Sequence, residues 1–186
     1  VYPGMTGMSE NVFINVKNHS HSITANVDIP KGGANGAIIA QAGRFGGWSL
    51  YLLNGKPTYT YNFLGLQRYT IASNQRLPAG KATIRFDFDY DGGGVGKGGT
   101  GTLYVNDRKV ASGRIERTQC CGFSADEGVD VGADEGTPVT EAYKPPFKFS
   151  GAIYNVTVEQ KAGKKADIDD EQRAHKAAAV KRAISD

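Results

Sequence analysis

Carboxylates at alternate positions offer the clearest potential chemistry in this sequence. Asp87, Asp89 and Asp91 share one face if the segment is extended, and carboxylate oxygens are ligands that Ca²⁺ prefers. The string that begins at Asp87 matches the first half of an EF-hand loop, but the twelfth position, which requires a bidentate glutamate, is Gly98. An EF-hand is therefore excluded. We expect salt bridges, to Arg85 or Lys97, or solvent to neutralise these carboxylates, with calcium as the alternative.

A second acidic run lies in an irregular stretch between residues 126 and 135, which could wrap Ca²⁺ with carboxylate and carbonyl oxygens. We expect a solvated or arginine-paired surface here as well. The sequence thus predicts no metal site and no cofactor in this chain, and the residues to inspect for a metal are Asp89, Asp91, Asp130 and Asp134.

Catalytic and nucleotide-binding motifs are incomplete. Residues 94–99 contain a G-x-G-x-x-G string, but a strand follows it where a dinucleotide site needs a helix, so we interpret it as a glycine loop. No G-x-S-x-G elbow or H-E-x-x-H helix is present. A glycoside hydrolase needs two carboxylates about 5–9.5 Å apart, which residues 87–91 could offer, but no glucanase strand motif accompanies them. We expect no catalysis by this chain alone.

Histidines and cysteines do not assemble into a recognisable site. His19 and His21 lack a nearby third zinc ligand, so we expect surface histidines. Cys120 and Cys121 are neighbours, which rarely bridge each other and cannot join distant segments. The fold must therefore stand without cross-linking disulfides, and a reducing compartment fits this composition.

Composition bounds the class of protein. The chain has 186 residues, of which 39% are hydrophobic, enough to fill the core of one ordinary domain. Of the 22 basic and 19 acidic residues, the last 26 residues hold 7 and 5, so the preceding body is nearly neutral. A concentrated basic face with interleaved aromatic residues is not visible, so we expect no nucleic-acid partner. No apolar run is long enough for a membrane span, and no signal peptide is visible in this segment.

Period-two alternation predicts an all-β fold. It is clearest at 81–90, where Ile84, Phe86 and Phe88 alternate with charged or polar residues. Asn54-Gly55 is the favoured dipeptide of a type I′ hairpin turn. Regular strand spacing without helical patterns indicates an antiparallel β-sandwich of about ten strands. The predicted strands are 22–29, 36–41, 48–53, 58–63, 68–72, 81–90, 102–106, 109–115 and 151–159.

The character of the sequence changes near residue 160. We assign residues 1–160 to the sandwich domain and residues 161–186 to a charged helical tail. Asp167 is a suitable N-cap, acidic residues follow it, and basic residues occupy the last turns, as the helix dipole favours.

Several strings resemble the C-terminal, non-catalytic domain of large bacterial arylsulfatases, and the resemblance covers residues 2–160. These strings lie at residues 17–25, 43–51, 61–66, 89–105 and 123–127, and include Gly43-Arg44-Phe45-Gly46-Gly47-Trp48 and Tyr61-Asn62-Phe63-Leu64-Gly65-Leu66. The resemblance implies a concanavalin A-like jelly roll that follows a sulfatase domain in the parent chain. That partner domain would carry formylglycine and calcium. The sulfatase motif, Cys or Ser followed by x-Pro-x-Arg, is absent from this sequence.

Two functions follow from this resemblance and from the predicted fold. The first is an accessory domain that packs on the sulfatase domain and supports it. Aromatic and arginine side chains on loops are typical interface anchors, so the candidate contact residues are Arg44, Phe45, Trp48, Tyr61 and Phe63. Burial of Trp48 and Phe63 in the core is the alternative for those two. The second function is a lectin-like carbohydrate-binding module, which rests on fold analogy.

Overall fold

Ten β-strands make up the computed structural model in the part of the chain that it describes, residues 1–124 and 126–162 with positions 172, 173, 176, 177 and 180. The strands are β1 (His21–Ile29), β2 (Gly36–Gly43), β3 (Gly46–Leu53), β4 (Lys56–Phe63), β5 (Gln67–Ala72), β6 (Gly80–Tyr90), β7 (Gly99–Val105), β8 (Arg108–Ile115), β9 (Val129–Val131) and β10 (Ala152–Gln160).

Two five-stranded antiparallel sheets form a β-sandwich, as the alternation predicts. Sheet A has the order β5-β4-β3-β2-β9, and sheet B has the order β10-β1-β6-β7-β8. Short hairpins join β2 to β3, β3 to β4, β4 to β5 and β7 to β8, and Asn54 and Gly55 both have positive φ in the β3–β4 turn. The glycine loop at residues 91–98 joins β6 to β7, as expected.

Apolar side chains on the facing surfaces of both sheets fill a single core. On β6, Ile84 and Phe86 are fully buried, whereas Arg85 and Asp87 of the other face are partly exposed. On β3, Trp48, Leu50 and Leu52 face inward and are 0% exposed. Strands at the centre of the fold therefore alternate between core-facing apolar residues and outward-facing residues. No disulfide joins distant segments among the described residues.

The outer face of sheet A is partly covered by the chain between β9 and β10. Ala37 donates a backbone hydrogen bond to the Phe147 carbonyl at 3.0 Å. Tyr51 projects from this face, and its ring centroid lies 5.1 Å from that of Tyr143, which stacks on Phe147 at 4.3 Å. This covering segment reaches β5, where Arg68 donates to the Val139 carbonyl at 3.1 Å and to Glu141 at 2.8 Å, and it leaves Thr70 and Ala72 of β5 exposed.

Some sequence expectations need correction. Strand β9 was not predicted, because three residues are too few to show a period. Cys120 and Cys121 are joined by a disulfide, contrary to the expectation for neighbouring cysteines. Gln172, Arg173, Lys176, Ala177 and Val180 are helical and exposed, whereas Asp167 and the rest of the predicted tail helix lie outside the described residues. Among the described residues, no helix combines the length and apolarity that a membrane crossing requires.

Candidate functional site

The carboxylates at the end of β6 pair with basic side chains. Asp91 accepts two hydrogen bonds from Arg114, at 2.7 and 2.9 Å, and this contact lowers the pKa of Asp91. Asp89 lies 3.3 Å from the Lys161 ammonium. The partners of these two residues thus differ from the predicted Arg85 and Lys97. Arg85 lies 3.6 Å from Asp87, on the same strand.

Asp130 and Asp134 organise the backbone of the covering segment. The Asp130 carboxylate accepts hydrogen bonds from the backbone N–H groups of Gly7, at 2.8 Å, and Glu135, at 3.3 Å. Asp134 is 1% exposed and accepts a 2.5 Å hydrogen bond from the Tyr143 hydroxyl. Burial is the largest cause of its raised pKa, which is about 6. Within residues 1–124 and 126–162 and the five tail positions, no three metal-ligating side chains converge.

The prediction of a surface histidine is wrong for His21. Its ring is 4% exposed and packs against Phe86 and Phe88, with centroids 6.4 and 5.4 Å away. Burial lowers its pKa to about 4. Nδ1 lies 3.0 Å from the His19 carbonyl oxygen, while Nε2 has no hydrogen-bond partner among the described residues. The ring lines a cavity of about 10 Å³, the size of one water molecule.

The predicted interface residues fall into two groups. Trp48 is fully buried and donates a 2.8 Å hydrogen bond to Gln41, and Tyr61 is also buried. Phe63 is half-buried against the core. Arg44 and Phe45, at the tip of the β2–β3 turn, are exposed, and Phe45 is 74% exposed. Only these last two present most of their side chains to a partner.

An exposed apolar surface surrounds Phe45. We call Arg44, Phe45, Leu64 and Leu66 the tip patch. The leucines lie in the β4–β5 turn and are 48% and 80% exposed. The buried Asn62 side chain holds the two turns together, since it donates to the carbonyls of Gly43 and Arg44, at 2.7 and 2.9 Å, and accepts from the Gly65 N–H at 2.9 Å.

Leu64 occupies a backbone conformation that is unfavourable for leucine. Its φ is +54° and that of Gly65 is +72°, as in a type I′ turn, and the Leu66 N–H bonds the Phe63 carbonyl at 2.9 Å. Asparagine is preferred at this first turn position, as Asn54 illustrates in the β3–β4 turn. Exposure and this left-handed conformation together identify Leu64 as a candidate contact residue, and the only sequence signal is a leucine before Gly65 where asparagine is preferred.

A groove of about 410 Å³ lies on the outer face of sheet A, between the β3–β4 turn and the exposed residues Thr70 and Ala72 of β5. Buried Thr58 and exposed Thr70 contribute hydroxyl-bearing side chains, and buried Tyr51 contributes part of the wall. Concave sites of this size with a few polar groups on apolar walls are typical of small-ligand binding. The complete lining is Tyr51, Leu53, Asn54, Lys56, Thr58, Thr70, Ala72, Arg76 and Ala142.

Backbone hydrogen bonds fix the loop that carries Arg76 beside this groove. Leu77 N–H donates to the Gly55 carbonyl, and Ser73 N–H donates to the Pro57 carbonyl, both at 2.9 Å. Gly55 has no side chain, and an added Cβ there would lie 3.5 Å from the nearest Arg76 side-chain carbon. The loop therefore holds Arg76 directly over the β3–β4 turn.

Two cations border the groove without an acidic partner. No carboxylate within the described part of the chain lies within 4 Å of the Lys56 ammonium or the Arg76 guanidinium. The groove can therefore offer positive charge and the exposed Thr70 hydroxyl to a ligand, while the buried Thr58 hydroxyl donates to the Lys56 carbonyl at 3.2 Å. Neither residue was a sequence candidate, since the β4–β5 register, in which Thr58 pairs with Ala72, brings their segments together.

Comparisons with known proteins show the fold. No family model and no curated protein matches this chain. Among solved structures, domains LG4–5 of the mouse laminin α1 chain align with a TM-score of 0.59 and 12% identity, covering 86% of this chain and 42% of that chain. The CBM40 of the Ruminococcus gnavus IT-sialidase, bound to α2,3-sialyllactose, aligns with a TM-score of 0.54 and 13% identity, covering 79% and 78%.

A third neighbour is the binding domain of botulinum neurotoxin serotype D, with a TM-score of 0.53 and 16% identity over 84% of this chain and 38% of that chain. This chain thus spans less than half of the laminin and neurotoxin chains but most of the CBM40. These similarities establish the fold alone, a β-sandwich of the jelly-roll type.

Proposed function

We propose that this chain is a non-catalytic carbohydrate-binding module that holds its glycan in the groove on sheet A. The observation that carries the proposal is that groove, with its hydroxyl groups, apolar walls and two unpaired cations. Its volume of about 410 Å³ suits a short saccharide segment. The CBM40 comparison supports the same class of ligand, because that domain was solved with a bound sialylated sugar and matches this chain over most of both lengths.

Each part of the groove suits a different part of a sugar. Leu53, Ala72 and Ala142 provide apolar contact for the C–H groups of a pyranose ring. Thr70 and Asn54 are exposed and provide groups that exchange hydrogen bonds with sugar hydroxyls. None of the described lining residues is Asp or Glu, so the groove lacks the pair of carboxylates with which most glycoside hydrolases cleave, and we assign it to binding.

Calorimetric titration against neutral, sulfated and sialylated oligosaccharides tests this function. Ala72→Tyr fills the groove from an exposed strand position and should abolish binding. Ala152→Tyr is the matched control, since Ala152 is an exposed strand alanine on sheet B and should leave affinity unchanged. Absence of binding to every saccharide, or equal binding by both variants, would overturn the assignment.

The tip patch favours a second function, docking onto a catalytic domain of the same parent chain. Phe45, Leu64 and Leu66 form an exposed apolar contact surface, and Arg44 adds a cation beside it. The sequence resemblance to arylsulfatase C-terminal domains supports a sulfatase domain as this partner, which would contain the formylglycine and the calcium. The tip patch and the groove lie at opposite ends of the strands of sheet A, so the two functions are compatible.

The first test of this second function is the coding sequence upstream of Val1, which should encode the sulfatase motif. An upstream sequence without that motif would refute a sulfatase domain as the partner. In the longer chain, Phe45→Ser and Leu66→Ser should lower the melting temperature of the sulfatase domain. Val12→Ser is the control, since Val12 is 80% exposed and lies outside the tip patch. Unchanged melting temperatures in both patch variants would refute docking through this surface.

A further inference from the structure

A second groove lies on the other side of the loop that carries Arg76. It has a volume of about 400 Å³ and is formed where the loop Ser73–Pro78 faces the β7–β8 hairpin. Arg76 lines both grooves, so they adjoin at this side chain. The remaining lining residues are Val105, Asn106, Arg108, Lys109 and Val110.

The two grooves together carry four cations without acidic partners. Lys56, Arg76, Arg108 and Lys109 have no carboxylate within 4 Å in the part of the chain that is described. Asp107, the nearest acid in sequence to Arg108, lies 3.5 Å from the Arg85 guanidinium. The positive potential of the grooves is therefore not cancelled locally, even though the body of the chain is nearly neutral.

We propose that the two grooves form one cationic strip, defined by Lys56, Arg76, Arg108 and Lys109, that binds an extended polyanionic saccharide with sulfate or carboxylate groups on successive sugars. This inference rests on the carbohydrate-binding function proposed above and names its ligand class. Arginine is suited to this role because its planar guanidinium donates paired hydrogen bonds to a carboxylate or sulfate.

The lining of the strip favours a saccharide over a nucleic acid. Single-stranded nucleic acids bind by base stacking on aromatic side chains in addition to charge. The second groove has no aromatic lining residue among those described, and Tyr51 in the first is only 1% exposed. Charge and hydroxyl groups without stacking surfaces match a sulfated or uronic acid polymer better.

Titrations with ligands of matched length test the strip. The probes are dextran sulfate and polygalacturonate oligosaccharides, neutral dextran oligosaccharides and an oligothymidylate. We expect the two acidic saccharides to bind, the longer ones more tightly, with affinity falling as salt rises because exposed charges are screened. We also expect weaker binding of the neutral saccharide and the oligothymidylate. Comparison of the sulfated and carboxylated probes identifies the preferred acidic group.

Charge-removing variants locate the binding. Arg76→Gln should weaken binding of the acidic oligosaccharides about tenfold, because it removes the cation shared by both grooves. The double variant Arg108→Gln/Lys109→Gln should weaken binding of long oligosaccharides but not of a disaccharide, which fills one groove. Arg117→Gln is the charge-matched control, because Arg117 is exposed at the opposite end of the sandwich, beyond Ile115 at the end of β8.

The outcomes separate this inference from the proposed function. Binding of the acidic saccharides that is no tighter than that of the neutral one, that Ala72→Tyr abolishes and that Arg76→Gln leaves unchanged, would refute the strip and retain the carbohydrate-binding module. Tighter binding of the oligothymidylate than of both acidic saccharides would refute a saccharide ligand for the strip. Absence of binding to every saccharide refutes both proposals. An equal loss of affinity for the acidic saccharides in Arg117→Gln and Arg76→Gln would refute the assignment of their binding site to the strip.

Discussion

Tyr59 of sheet A and Phe86 of sheet B stack face to face across the sandwich, with ring centroids 3.5 Å apart and planes 9° from parallel. Both residues are almost completely buried. Trp48 stacks on the Tyr59 ring at 6.2 Å, so a row of three aromatic rings joins neighbouring strands of one sheet to the other sheet. This contact fixes the distance between the sheets at the centre of the core.

Truncation of Phe86 is therefore expected to cost a large part of the stability. Phe86→Ala should lower the free energy of unfolding by about 3–5 kcal/mol, through lost burial and the cavity that it leaves. A double-mutant cycle with Tyr59→Ala, measured by urea unfolding, should give a coupling energy of about 0.5–1.5 kcal/mol for the stacked pair. A second cycle that combines Phe86→Ala with Tyr143→Phe is the control, because Tyr143 lies on the outer face of sheet A and the two changes in free energy should be additive. A coupling energy as large in this control cycle would contradict a specific stacking contact.

Leu64 is expected to reduce the stability of the fold, because an exposed leucine side chain is held in a left-handed backbone conformation. Leu64→Asn should raise the free energy of unfolding by about 1 kcal/mol, because asparagine tolerates the left-handed conformation better. The reciprocal change Asn54→Leu, in the matching β3–β4 turn, should lower it by a similar amount. Urea unfolding of both variants provides the measurement. A destabilising Leu64→Asn would show that the Leu64 side chain supports the fold itself.

Local sequence pattern was sufficient to predict most of the architecture. The alternation from Lys81 to Tyr90 and the dipeptide Asn54-Gly55 each determine a strand or a turn from neighbouring residues. Burial depends on the rest of the chain, which is why His21, at an alternating position of β1, was assigned to the surface although Phe86 and Phe88 enclose it.

The candidate sites were less predictable because they depend on pairing between distant segments. Arg114 pairs with Asp91 because β7 places β6 and β8 at a suitable separation, which no local pattern encodes. The grooves arise in the same way, since Arg76 lies over the β3–β4 turn and faces β8. The tip patch was partly predicted, through Arg44 and Phe45, because exposed aromatic and arginine residues between glycines have a recognisable composition.

Buried His21 should make the protein less stable in acid. Burial is the largest cause of its lowered pKa, which is about 4 in the folded state and 6.5 in the unfolded chain. Its contribution is therefore complete above pH 6.5 and is lost as pH falls towards 4, because only the unfolded chain takes up the proton. The loss amounts to about 3 kcal/mol. The free energy of unfolding of His21→Phe minus that of the wild type should therefore increase as pH falls from 6.5 to 4, which urea unfolding measures. A difference that does not change with pH would contradict the mechanism.

Asp134 should act with the opposite sign over an overlapping interval. Burial raises its folded-state pKa to about 6 from 3.8, so the folded protein binds a proton between pH 4 and 6 that the unfolded chain has released. Its contribution is therefore most favourable below pH 4 and declines as pH rises through 6, by about 3 kcal/mol in total. The two effects partly cancel in the wild type, so variants are needed to reveal either one.

Asp134→Asn removes the ionisable group and keeps a side-chain oxygen that can accept the Tyr143 hydrogen bond. The free energy of unfolding of this variant, relative to the wild type, should increase between pH 4 and 6.5 and then become constant. Tyr143→Phe removes the hydroxyl that stabilises the carboxylate, so it should raise the pKa of Asp134 further and move the transition to higher pH. Urea unfolding at half-unit pH steps measures both curves. A pH-independent difference for Asp134→Asn would mean that the buried carboxylate is as well stabilised in the folded protein as it is in water.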